Sequence, residues 1–557
     1  TVPIYMMQVF DRVLSGGRLE TLLWLSVIAA VALAVYALLD AVRDGLVTQT
    51  GQWLHRRLST RVIKATLGIS RGGGTITLQP MLDLRLIRTF AGGQPIKVFF
   101  DAPWTVLFLG VLFLIHWLFG LIAFVSLLAL ITLALVNAYL TKRPNADGAT
   151  AERRSTSVLE GALGSAEAIG AMGLDAGVQR LWAERQDDAD RLTAMGAERS
   201  SRCLAFSKFL RLTIQMAVLG LGAVLVLRGQ MTAGAMIAAS ILMSRTLAPF
   251  EQSITAWNSF TQARGAFERI GRLLAAAPRL SDHPELPQPE GRLSFDKAVY
   301  GVPGRERPLA GPLQLEFEPG TIAAIVGPSG AGKTTLCRLA GGVWNPSYGK
   351  VRLDGAELGV WPPEQLGGLV GYLPQDVQLV GDTVHDAISR LEPDAPFEEV
   401  VAAAMLAGLH EEIKSWPQAY RTPIGAGGRA LSAGQRQRLG LARALYRRPK
   451  LILLDEPNAN LDDEGQKALR EALVQAKAWS ATIIMVTHHL GILQIADRVI
   501  RMEEGRVVAD ETGQEVLQRL KSIALRREGT VQQDPKPRLP GADPTVSAND
   551  RAKGQAE

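Results

Sequence analysis

Cysteine is nearly absent: Cys203 and Cys337 are the only two in 557 residues. That excludes a disulfide framework and a cysteine-ligated metal site. No RNA- or DNA-binding motif accompanies the formal net charge of +6, which argues against nucleic acid as a partner. Much of the basic excess flanks apolar runs, where membrane orientation accounts for it. No signal-peptide pattern is present. The chain opens on Thr1 rather than methionine, so a trimmed start is expected.

Charge itself is missing from long stretches of the first half. Leu22 to Leu39 is eighteen residues without a charged side chain, and Ala102 to Leu140 is thirty-nine, taking histidine as neutral. The first is near the minimum for one spanning helix and the second fits two. A tight turn is expected near His116-Trp117-Leu118-Phe119-Gly120. Further apolar runs cover about 212–227 and 231–250, the latter broken by Arg245. The opening Val2-Pro3-Ile4-Tyr5-Met6-Met7 reads as the end of another span. Five spans plus this remnant make a six-span α-helical transmembrane domain with its first span truncated, over residues 1–265. Residues 40–97 hold nine Lys or Arg against three acids, and the turn near His116 holds none. The positive-inside rule puts residues 40–97, and with them the second half, in the cytoplasm. Asp83 to Arg88 and Glu167 to Gly173 are candidate contacts with that second half.

Residues 266–290, with Pro278, Pro284, Pro287 and Pro289, have linker composition. A soluble α/β domain is expected over 291–520. Lys521 to Glu557 carries four prolines and no periodicity, and reads as a disordered tail.

The α/β half is organised around Gly327-Pro328-Ser329-Gly330-Ala331-Gly332-Lys333-Thr334, a G-x-x-x-x-G-K-T phosphate loop between an apolar strand and a helix start. Its glycines let backbone N–H groups close on phosphate oxygens, the helix N-terminus adds its dipole, and Thr335 follows in the first turn. Lys333 would reach the terminal phosphates of ATP and Thr334 would hold Mg²⁺. Leu451 to Leu454 ends in Asp455, for the metal, and Glu456, to polarise the attacking water. Ser432-Ala433-Gly434-Gln435 opens a helix and offers more N–H donors. Gln375 could sense metal and water after one strand, and His488 could bond the γ-phosphate after another.

The ordered series G-P-S-G-A-G-K-T, L-P-Q, L-S-A-G-Q, L-I-L-L-D-E, N-L-D and T-H resembles the ATP-binding cassette family. The resemblance implies a Q-loop at Gln375, a signature at Ser432–Gln435, a D-loop including Asp462, and a switch histidine at His488. It also implies that ATP lies between the phosphate loop of one cassette and the signature of another, hence pairing with a second chain, and the intact catalytic set points to a homodimer. Pro3 to Leu14, Phe100 to Trp104 and Glu167 to Gly173 resemble type I secretion permease/ATPases of the PrtD kind. That implies a multi-pass protein of the bacterial inner membrane, in contact with membrane lipid. It would export an unfolded polypeptide with a C-terminal signal, an RTX-type protease or lipase, through a periplasmic adaptor and an outer-membrane channel. No cysteine-peptidase-like leading domain is visible, which fits this kind. Two positions depart from the family pattern. Val302 stands where an adenine-stacking aromatic is usual, with Tyr300 two residues earlier. Ala426 replaces an acid in Thr422–Gly428. An exporter of lipid or small hydrophobic molecules shares the architecture and is the alternative. A membrane ATPase that signals without transport is a third reading.

Overall fold

The computed structural model describes residues 1–71, 78–276, 286–302, 304–305, 307–516 and 518–519, with the backbone alone for Arg71, Ala426 and Leu490. The expected tail and the 277–285 part of the linker lie outside these. The chain divides into two compact units near residue 278.

The first unit is helical. α1 (Val2–Gln8) passes through a π-helical turn, Val9–Val13, into α2 (Leu14–Gly16). Then follow α3 (Leu19–Arg71), α4 (Gln79–Ala91), α5 (Gln94–Asp101), α6 (Trp104–Ile115), α7 (Trp117–Gly164), α8 (Ala166–Met172), α9 (Asp175–Leu227) and α10 (Ala233–Ala276). Among the described residues, α3, α7, α9 and α10 are long and apolar enough to cross a membrane. The α5–α6 pair, bent by 44°, makes a fifth span if counted as one. The bend falls at Ala102-Pro103, where proline cannot donate the helical hydrogen bond. At 53 residues, α3 and α9 are each roughly 80 Å long against about 30 Å of hydrocarbon. They therefore run far past the apolar run that each contains.

The expected turn at His116 is present. His116 leaves the helical region at φ −164°, and its Nδ1 accepts from Leu118 N at 3.3 Å, capping α7. Gly120 lets the return chain close, since a Cβ there would sit 2.2 Å from the Phe113 ring. At the start of α10, Asp11 does similar work from far away in sequence. Its Oδ1 accepts from Gly234 N at 2.9 Å and its Oδ2 from Thr232 Oγ1 at 2.7 Å.

Two expectations shift. The boundary placed at 265 falls inside α10, which continues to Ala276. The reason is packing: Ala266 and Ile270 are buried with Val62, Leu84 and Ile87. The stretch Asp83–Arg88 turns inward in part. Asp83, Leu84 and Ile87 are buried, and Asp83 pairs with Arg269 on α10. By contrast α8, which carries Glu167 to Met172, is exposed along nearly all its length within this unit.

The second unit carries two sheets. An antiparallel one has the order β2 (Ala310–Phe317), β1 (Leu293–Tyr300), β4 (Tyr348–Leu353) and β5 (Ala356–Glu357). The other has β10 (Arg506–Thr512), β9 (Arg498–Glu503), β3 (Ile322–Val326), β8 (Thr482–Val486), β7 (Leu451–Asp455) and β6 (Val370–Leu373). From β9 to β6 the pairing is parallel. Strands β3, β7 and β8 are buried almost throughout and read as unbroken apolar runs, as a sheet covered on both faces requires. The helices are α11 (Lys333–Ala340), α12 (Pro363–Leu369), α13 (Val384–Ile388), α14 (Phe397–Leu406), α15 (His410–Ser415), α16 (Ala433–Leu445), α17 (Asp463–Ala478) and α18 (Leu490–Leu493).

Candidate nucleotide site

The carboxyl ends of β3, β8, β7 and β6 lie side by side on one edge, where ligands of open α/β sheets bind. The phosphate loop leaves β3, His488 follows β8, Asp455 ends β7, and Gln375 follows β6. Four separate sequence signals converge because the sheet is parallel.

The loop is folded tightly against its neighbours. Gly327 has φ +150°, and a Cβ there would lie 2.1 Å from Met502 O; Gly332 has φ +92° and faces Leu309 O at 2.7 Å. Neither position accepts a side chain without moving backbone. Lys333, 7% exposed, donates from Nζ to Gly327 O and Pro328 O, both at 2.8 Å. Its ammonium therefore sits within the curl of the loop. The first-turn N–H groups of α11, from Lys333 to Thr335, have no intrahelical acceptor and are available to an anion.

Asp455 is 1% exposed, and neither carboxylate oxygen has a hydrogen-bond partner. Burial pushes its carboxyl above the usual range. The nearby Thr334 hydroxyl pulls the other way, and the Glu456 charge adds to the rise. A buried carboxylate with both oxygens free beside a threonine hydroxyl fits a hydrated Mg²⁺, a hard cation that takes one or two carboxylates and keeps several waters.

Glu456 stands at φ +50°, and its N donates to Val486 O at 3.0 Å. Its Oε2 accepts from Gln375 Nε2 at 3.3 Å, which brings these two predicted residues together. His488 is exposed. Its neighbour Thr487 is buried and donates from Oγ1 to Asn458 Oδ1 at 3.1 Å, tying the end of β8 to the turn after Glu456.

Ser432 and Gln435 form a reciprocal cap on α16. Ser432 Oγ accepts from Gln435 N at 3.2 Å, and Gln435 Oε1 accepts from Ser432 N at 2.8 Å. Gln435 Nε2 also donates to Glu412 Oε1 at 2.6 Å. The cap leaves Ala433 and Gly434 at the helix tip. A Cβ on Gly434 would meet Asn460 O at 3.0 Å. Asp462 caps α17, its Oδ1 accepting from Gly465 N at 2.8 Å. Among the described residues no hydrogen bond joins Ser432–Gln435 to the phosphate loop.

One residue was missed. Gln437 is 3% exposed and donates from Nε2 to Pro457 O at 3.2 Å and Glu456 O at 3.5 Å. It anchors the turn that carries Glu456. A glutamine between Arg436 and Arg438 gives little sign of burial in the sequence. One face of Tyr300 is taken up: it lies parallel to Trp344 at 4.5 Å, and Arg338 covers Trp344 at 4.5 Å. Val302 is partly exposed. The side chain of Ala426 lies outside the description.

The site and sheet define a phosphate-loop ATPase fused to a helical membrane unit. Residues 311–459 match the ABC transporter family, and residues 1–250 match the ABC transporter transmembrane region. The chain is 36% identical over 521 residues to the type I secretion system ATP-binding protein PrsD of Rhizobium meliloti (strain 1021), covering 93% of this chain and 89% of that one. It is 29% identical to the cyclolysin secretion/processing ATP-binding protein CyaB of Bordetella pertussis, over 91% of this chain and 72% of that one. The leukotoxin translocation ATP-binding protein LktB of Mannheimia haemolytica is 27% identical, over 93% and 74%. A bacterial Atm1-family ABC exporter with ATP bound shares the fold, with a TM-score of 0.81 at 20% identity over 97% and 96% of the two chains. The chain belongs to the ABC transporter family, among the type I secretion ATP-binding proteins. It is a multi-pass membrane protein whose ATP hydrolysis is coupled to transport.

Proposed function

We propose that two copies of the chain form an inner-membrane exporter of unfolded polypeptides bearing a C-terminal signal, of the RTX protease or lipase class. The carrying observation is similarity to a type I secretion protein across 93% of the chain. A periplasmic adaptor and an outer-membrane channel complete the path, and the cassettes face the cytoplasm, a side that the basic excess of residues 40–97 supports.

Two features support the pairing. The apolar window of α3 is 0% buried within the chain. Past that window, Leu46, Trp53, Ile63 and Leu67 on the same helix are also exposed, where water rather than lipid would meet them unless a second copy covers them.

In this reading, the backbone of Gly327, Pro328, Ser329, Gly330, Ala331 and Gly332, with Lys333, Thr334 and Thr335, receives the phosphates of ATP. Thr334, Asp455 and Gln375 would hold Mg²⁺, whose charge offsets that of the phosphates. Ser432, Ala433, Gly434, Gln435 and Asp462 of the opposite copy close the site. Glu456 orients water and takes its proton as the terminal phosphate leaves, and His488 bonds that phosphate. Closure drives transport because ATP binds the paired cassettes better than the separated ones.

The test is ATP turnover of the protein in lipid, with C-terminal peptides of candidate secreted proteins. Saturable modulation by one peptide and none by its scrambled form is expected. Indifference to every peptide, with turnover altered by lipids or small hydrophobic molecules, would replace this reading by the small-molecule exporter.

A further inference from the structure

Between α9 and α10 lies a cavity of about 330 Å³ lined by Leu204, Lys208 and Arg211 from one helix and Ala248, Glu251, Gln252 and Thr255 from the other. Arg211 and Glu251 face each other across it at 2.8 Å and are largely buried. The contact is ionic rather than a well-aligned hydrogen bond, for Arg211 Nε is buried and has no hydrogen-bond partner. Lys208 is exposed, and it has no ion-pair partner among the described residues. Two cations against one carboxylate leave a single positive charge on the cavity wall.

The depth of the cavity follows from the same residues. Arg211 is the last charged residue before the uncharged run 212–227, and Glu251 is the first charged residue after the span that ends at Phe250. Their pairing sets the two helices at one level, so the cavity lies at the membrane–water boundary. Beyond Arg211 on α9, Leu212, Met216 and Leu219 are exposed. A molecule seated in the cavity thus meets a positively charged pocket close to outward apolar side chains that continue into the span.

We propose that this cavity is a site for the phosphate diester headgroup of an anionic phospholipid, with its acyl chains along Leu212, Met216 and Leu219. One excess positive charge matches the one negative charge of a phosphate diester whose other substituents are neutral. Basic pockets between helices on the cytoplasmic side suit such headgroups. The inference rests on α9 and α10 spanning the membrane with this end cytoplasmic, and it holds whatever the exporter carries.

The experiment places the purified protein in bilayers of equal phosphatidylglycerol and phosphatidylcholine and measures the lipid retained by native mass spectrometry. Phosphatidylglycerol should be retained several-fold over phosphatidylcholine. Lys208→Gln should bring the ratio to parity, Lys208→Arg should keep the preference, and both variants should keep wild-type ATP turnover in phosphatidylcholine alone. Equal retention of phosphatidylglycerol by wild type and Lys208→Gln would overturn the site. Displacement of the lipid by millimolar glycerol 3-phosphate would make it a soluble-phosphate site instead. Should Lys208→Gln weaken binding of an acidic peptide while leaving lipid retention unchanged, the cavity belongs to the exported chain and the lipid assignment fails.

Discussion

Gln375 Nε2 donates to Glu456 Oε2 at 3.3 Å, so the residues that follow β6 and β7 meet at the edge of the sheet. The bond holds the carboxylate of Glu456 toward the open end of β7 and leaves its other oxygen for water. Replacing Glu456 by Gln keeps the size of the side chain and removes the base. ATP turnover should fall by about 10²–10⁴-fold, the usual contribution of general base catalysis, while equilibrium nucleotide binding stays within a few-fold of wild type. Turnover and binding measured on the same preparation decide it; unchanged turnover would sink the role of Glu456.

Asp455 makes a prediction of opposite sign in stability. Burial raises its carboxyl above the ordinary carboxylate value, so the folded chain holds the proton more tightly than the unfolded one. Its contribution is fully favourable below the ordinary carboxylate value and is lost as pH rises through the raised one. At neutral pH the ionised form therefore opposes folding. Asp455→Asn should abolish ATP turnover yet raise the thermal midpoint at pH 7 by a few degrees, about 2–4 °C for each kcal/mol in a domain of this size. The gain should shrink as pH is lowered toward 4, and Mg²⁺ should no longer stabilise the variant. A lower midpoint at pH 7 would mean the carboxylate is satisfied after all.

How far the sequence reaches is set by how local each signal is. The loop from Gly327 to Thr334 was legible because strand, glycines and helix are contiguous. The spans were legible because thirty-nine uncharged residues have few other uses. The Asp83–Arg269 pair was not, since 186 positions separate its members and each alone reads as an exposed charge. The continuation of α10 beyond 265 was hidden for the same reason: Ala266 and Ile270 need Val62, Leu84 and Ile87 to explain them. The meeting of Gln375 with Glu456 was implied only by family pattern, because strand order in a parallel sheet is not written in any single segment.

Gln437 should separate positioning from binding. Its amide is buried and bonded to the carbonyls of Pro457 and Glu456, so Gln437→Ala leaves two buried acceptors short of a donor. An unmet buried polar group costs about 1–3 kcal/mol. The turn bearing Glu456 should loosen, lowering kcat by tens-fold with KM for ATP near wild type. Gln437→Glu should not rescue it, since a carboxylate cannot donate to those carbonyls. A rise in KM with unchanged kcat would place Gln437 in nucleotide binding instead.

The Asp83–Arg269 pair carries the last prediction. Two parallel bonds join them, Nε to Oδ2 at 2.8 Å and Nη2 to Oδ1 at 2.7 Å, and Gln79 Nε2 adds a third at 2.9 Å. Asp83 is 2% exposed whereas the Arg269 side chain is 27% exposed. Removing one partner of a fully buried pair costs about 3–5 kcal/mol, and the partial exposure of Arg269 puts the loss here at the lower end of that range or below. The two directions should differ. Arg269→Ala strands a buried carboxylate that Gln79 alone cannot satisfy, while Asp83→Ala leaves a guanidinium that can turn toward water. Thermal unfolding in detergent should therefore rank Arg269→Ala as the less stable variant. Asp83→Ala combined with Arg269→Ala should recover part of the loss, because no buried charge is then left alone. If the double variant is as unstable as the sum of the singles, the pair does not act as a unit, and the anchoring of α4 on α10 must be assigned to Leu84 and Ile87 instead.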